Sequence, residues 1–138
     1  MPATDSTYSL TTTTELAFGD AVTRVREELA ADGFGVLCEI DVQATLNAKL
    51  GVDREPYLIL GACNPPLAHH ALQAEPELGV LLPCNVIVYT QDGETHIAAV
   101  DAERMLSIVA NAELTPVAVQ IRSRLAAIIE RAARIERA

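Results

Sequence analysis

The stretch from Cys84 to Val100 constrains the fold most. Cys84 to Tyr89 and Thr95 to Val100 are short apolar strands, and Gln91-Asp92-Gly93-Glu94 between them reads as a tight hairpin turn. Strands joined by so short a turn must lie antiparallel, because a parallel pair needs a long crossover. The strands before it alternate with helices. Tyr8–Thr13 is a β-branched run, and Phe18, Val22, Val25 and Leu29 fall at helical spacing up to a stop at Gly33. Phe34–Ile40 alternates as a strand. Asp41 then caps a short helix to Leu50 that ends at Gly51.

Pro56–Cys63 is a strongly apolar strand suited to a sheet interior, and Asn64 with Pro65 or Pro66 opens a helix to about Ala74. Val80–Leu82 reads as one more short strand. Asp101 caps a helix to about Asn111, and Thr115 with Pro116 opens the last and longest helix. The order predicts an α+β fold, a mainly antiparallel sheet with helices packed on one face, with a mixed sheet as the alternative. At 138 residues the chain is one domain, 1–138, with a core over about 8–129.

Composition narrows the partners. Nineteen acidic against ten basic residues give a net charge of −9, which disfavours nucleic acid and anionic membrane alike. Aromatics make up 4% of the chain and there is no tryptophan, so neither a base-stacking nor a sugar platform is expected. No apolar run approaches the roughly 20 residues of a membrane span. Met1–Thr14 is polar and threonine-rich, which predicts no secretory signal. Three cysteines without a dense framework fit a reducing cytoplasm. Residues 1–103 carry 16 acidic and 4 basic side chains, and residues 104–138 carry 3 and 6, a polarity suited to internal docking or self-association.

The most pointed local feature is Gly61-Ala62-Cys63-Asn64-Pro65-Pro66, at a strand-to-helix corner. A helix N-terminus there favours an anion, whether a ligand's or the Cys63 thiolate. Pro83-Cys84-Asn85 opens a strand with a similar trio. If the two strands are neighbours, Cys63 and Cys84 could share a soft metal ion or a disulfide, or simply pack as small apolar side chains. His69 and His70 are the natural metal or acid–base candidates, but His70 rises about 9 Å along its helix from the cap, so sharing an ion with Cys63 would be strained. With no CxxC or HExxH, both are expected at the surface or a partner interface. His96, on an alternating strand, is expected to face solvent. Glu39 stands mid-strand beside Cys38, as a sheet-face acid or merely an exposed residue. There is no phosphate loop and no nucleophile elbow. On the last helix Ile121, Leu125, Ile128, Ala132 and Ile135 form a stripe that Ile129 widens. Part of it packs on the sheet, and the surplus predicts a twofold interface through Ile121, Leu125, Ile128 and Ile129.

With those residues identified, the chain resembles the bacterial and archaeal domain of unknown function 302 family, over roughly Tyr8–Ile129. The resemblance rests on Gly33-Phe34-Gly35-Val36, Glu39-Ile40-Asp41-Val42, Ile59-Leu60-Gly61-Ala62-Cys63-Asn64-Pro65 and Leu82-Pro83-Cys84-Asn85-Val86. It implies a small α+β domain with a TATA-binding-protein-like arrangement of sheet and helices, dimeric, with no established activity. Fold analogy does not import DNA binding.

These readings combine into a homodimeric cytoplasmic module that binds a small anionic or thiophilic ligand through Cys63, Asn64, Cys84 and Asn85. Cys63 and Cys84 are the candidates for a soft metal; no other cofactor, nucleic acid or membrane partner is expected. The balance leans against an enzyme. The alternatives are a thiol-redox enzyme, with Cys63 as nucleophile and Cys84 resolving, and a purely structural dimer.

Overall fold

A computed structural model of the chain describes residues 4–5 and 7–135. The expected domain 1–138 therefore has residues 1–3, 6 and 136–138 outside the described residues. Among the described residues there are six strands: β1 (Thr4–Asp5), β2 (Ser9–Thr14), β3 (Gly35–Asp41), β4 (Tyr57–Cys63), β5 (Cys84–Gln91) and β6 (Glu94–Val100). They form one sheet in the order β1-β2-β6-β5-β4-β3. Every pairing is antiparallel, so the fold is α+β and the mixed-sheet alternative falls. The α-helices are α1 (Phe18–Ala31), α2 (Val42–Leu50), α3 (Pro65–Ala74), α4 (Ala102–Ser107) and α5 (Thr115–Ala132).

Local chemistry sets most boundaries. Asp92 and Gly93 both adopt positive φ (53° and 78°), as a two-residue hairpin turn matched to strand twist requires. Helix α1 ends with Gly33 at φ 80°; the Gly33 and Phe34 amides donate to the Ala30 and Leu29 carbonyls, and Phe34 and Leu29 are both buried. The Asp41 carboxylate accepts from the Ala44 amide, and the Asp101 carboxylate from the amides of Glu103 and Arg104.

Three expectations fail locally. Residues 80–82 are not a strand: Pro76–Leu81 coils as a 3-10 turn that buries Leu78 and leaves Val80 87% exposed. A three-residue apolar run beside Pro76 and Gly79 gives no ladder to join. Helix α4 stops at Ser107, because Ala110 turns to φ 57° and the Asn111 side chain caps the next turn through the Glu113 amide. Thr115 does not cap α5 through its side chain, since the helix follows directly on a 3-10 turn at Ala112–Leu114.

One face of the sheet is covered. Leu58, Val88, Ile97 and Thr12 align across it, as do Leu60, Val86, Ala99 and Leu10, and all are buried against the helical layer. Helices α1 and α5 pack on each other and on this face. Ile121, Leu125, Ile128 and Ile129 are 7%, 0%, 0% and 0% exposed, inside the chain's own core. The expected twofold interface through these four residues is therefore corrected: α1, α4 and the sheet meet α5 and already bury all four. The basic tail is largely consumed too. Arg131 pairs with Glu28 at 2.8 Å and Arg122 with Asp101 at 3.2 Å. Arg24 of α1 donates to the Arg131 and Arg134 carbonyls, and Thr14 to that of Ala133, which satisfies the end of α5.

Candidate functional site

The end of the sheet where β4 leaves for α3 and β5 enters carries both Cys-Asn corners. Ala62 and Cys84 are cross-strand partners, so Cys63 and Cys84 sit one residue out of register at the same end. Between this sheet end, α3, the 3-10 turn and the helices α4 and α5 lies an apolar cavity of about 350 Å³. That is the lower range of small-molecule sites. Phe34, Leu67, Leu78 and Val117 line it with Cys63, Cys84 and Met105, so three sulfur-bearing side chains share one wall system. Cys84 is 4% exposed, and burial, with the neighbouring Cys63 sulfur adding to it, pushes its thiol up to about 11.

The structure brings Cys63, Asn64 and Cys84 to this cavity and does not bring Asn85. Strand alternation turns Asn85 to the opposite face, paired with Gly61 and exposed. Nor can α3 hold an anion as expected. Pro65 and Pro66 have no amide hydrogens, the Leu67 amide donates to Asn64 Oδ1 at 3.3 Å, and the Ala68 amide donates to the Asn64 carbonyl. Asn64 is a buried cap, and the turn it closes offers no donor to a ligand. Two prolines in sequence at a capped start were already the signal for this.

The remaining candidates disperse. His69 and His70 are exposed on α3, and among the described residues no three His, Cys, Asp or Glu gather as a cation site. Glu39 pairs with Arg26 of α1 at the sheet edge. Cys38 is exposed and does not line the cavity; a Cβ at Gly61 would lie 2.6 Å from its Sγ and 2.8 Å from Pro83 Cγ, so the missing side chain of Gly61 lets this thiol and ring close over β4. A second hollow of about 420 Å³, around Ser107, Asn111 and Thr115, contains none of the candidate residues.

Sequence reasoning missed a ring ladder on the other face of the sheet. Tyr57, Tyr89 and His96 are cross-strand neighbours, with centroids 5.2 Å and 4.8 Å apart, and the Arg54 guanidinium lies 5.0 Å over Tyr57. His96 Nε2 stands 3.3 Å from Glu94 Oε1, so this histidine is half-buried rather than simply solvated. The signal was positional: three rings at alternate positions of three adjacent strands become visible only once the register is known.

An antiparallel sheet with one helical layer and an apolar pocket at its end defines a small α+β domain. The chain belongs to the family Domain of unknown function DUF302, whose family model matches residues 10–132. It is similar to an uncharacterised conserved DUF302 protein from Bacillus stearothermophilus, with 30% identity and a TM-score of 0.86, covering 94% of this chain and 100% of the other. No curated protein matches the chain closely. No helix among the described residues is long and apolar enough to cross a membrane.

Proposed function

We propose that this chain is a cytoplasmic, homodimeric binding module whose cavity takes a small, apolar, thiophilic molecule against Cys63 and Cys84. The observation that carries it is the apolar cavity itself, walled by two thiols and a thioether. Apolar walls favour a neutral ligand by the area they remove from water, and polarisable sulfur adds attraction to soft or unsaturated groups. The capped start of α3 argues against the anionic version of the ligand. The thiol-redox alternative is disfavoured because a resolving cysteine works as a thiolate, and Cys84 is held protonated well above neutral pH. Two thiols and one thioether are a thin donor set, which favours an organic over a metallic ligand. Two copies would assemble through a face other than the α5 stripe.

Differential alkylation tests the pocket. N-ethylmaleimide, small and neutral, should label Cys63, and the apolar probe 1-octanol should slow that labelling several-fold. Cys38, on the far side of the sheet, should keep its rate. Octanol slowing neither thiol, or both equally, overturns the reading.

A further inference from the structure

We propose that the uncovered face of the sheet is where a second copy of this chain docks, with the twofold axis running along β5. The proposal deepens the homodimer part of the function above and is independent of the pocket. On this face Ile40, Ile59, Ile87 and Ala98 align in one apolar row from β3 to β6. Ile40 is 48% exposed, and Ile59 and Ile87 are half-buried. The helices that reach β5 and β6, namely α1 and α5, lie on the covered side, while α2 rests against β3 and β4.

Charge points to a copy of the same chain. At alternate positions of β4 from Tyr57 to Gly61, of β5 from Asn85 to Tyr89 and of β6 from His96 to Val100 there is no Asp, Glu, Lys or Arg. A chain of net charge −9 that keeps carboxylates out of the middle of this face, with Glu94 only at its hairpin end, has lowered the main repulsion between two copies there. The rim is polar in the electrical sense. Arg54 lies over Tyr57 at the β4 side, and Glu94 lies beside His96 at the β6 side, both at the hairpin end. Glu55, next to Arg54, already faces the Asp92 and Gly93 amides.

A twofold axis along β5 maps β4 of one protomer onto β6 of the other and keeps the hairpin ends together. Arg54 then meets the partner's Glu94, twice. The same operation sets Ile59 over the partner's Ala98 and Tyr57 over the partner's His96, with Ile87 meeting itself. Large side chains thus face small ones on both sides of the axis, in the aligned arrangement that stacked sheets prefer. The apolar row becomes the core of the interface and the ring ladder with its flanking charges becomes the rim.

Sedimentation of the full chain at tens of micromolar tests this. The wild type should be a dimer, and Ile87→Glu should be a monomer that still melts cooperatively. Arg54→Glu and Glu94→Arg should each weaken the dimer several-fold, and the double swap should restore it; both residues lie at the rim, so this arm holds even if Ile87→Glu does not fold. A monomeric wild type overturns both the proposal and the homodimer reading. A dimer that survives Ile87→Glu, or whose charge swaps do not rescue each other, overturns this face alone and leaves the homodimer standing.

Discussion

Alternate residues of β4, β5 and β6 face opposite ways, and the two sets differ in kind. Leu58, Leu60, Val86, Val88 and Ile97 are aliphatic and at most 6% exposed, under α1 and α5. Tyr57, Ile59, Asn85, Ile87, Tyr89 and His96 mix rings, amide and isoleucine, and are half-buried or exposed. The first set is what a folding core needs: volume without polar atoms. The second keeps donors and acceptors at its margin and no charge at its centre, which suits a surface that is covered only part of the time. Apolar side chains therefore occupy both faces of the sheet, and burial rather than residue type tells the two sets apart.

The comparison breaks most severely if the α5 stripe tolerates charge. Ile129 is fully buried within the apolar core cluster. Ile129→Glu must strand a carboxylate in hydrocarbon, which should cost on the order of 4 kcal/mol or more, a large share of a typical domain's stability. Circular dichroism should show a chain that is unfolded or melts far below the wild type. A folded monomer with wild-type melting would return the stripe to the interface.

Those two surfaces also mark what the sequence could disclose. The hairpin, the caps at Asp41, Asn64 and Asp101 and the strand blocks other than residues 80–82 were legible because each is specified within a few residues. The Cys63-Asn64 and Cys84-Asn85 corners were legible as a pair from their shared Cys-Asn motif, and β4 ends where β5 begins. Their outcomes diverged for reasons that need register: Asn64 turns in as a cap, whereas Asn85 turns out. The stripe on α5 looked too wide for one docking face because the sequence does not say that α1, α4 and the sheet all meet it. The ring ladder lay across three strands and had no local signature at all.

A smaller effect sharpens the contrast at Gly61, on the open face. There the lack of a side chain is what brings Cys38 and Pro83 together. Gly61→Ala should lower urea stability by about 1–3 kcal/mol through overpacking. Cys38→Ala in that background should recover part of the loss, because Sγ goes while the Pro83 ring stays. Full recovery, or no loss at all, would mean that the face is looser than its contacts indicate.

The smallest effect lies at the rim, where Glu55 holds the hairpin. Its Oε1 accepts from the Asp92 amide at 2.9 Å and its Oε2 from the Gly93 amide at 3.0 Å. The Gly93 and Asp92 amides, with Arg54 adding slightly, hold its carboxyl below the ordinary value near 4.5. A folded-state value lower than the unfolded one stabilises the protein above the unfolded value, and that contribution is lost as pH falls through the folded value. Glu55→Gln should therefore melt a little lower than wild type at pH 6, with the gap closing as the pH drops below about 4.5. Other carboxylates cancel in the comparison, since both proteins carry them. The gap stays small because the carboxylate is solvent-exposed and screened. A gap that does not change with pH would show that Glu55 grips the turn by shape rather than by charge, and would remove it as an electrostatic feature of the rim.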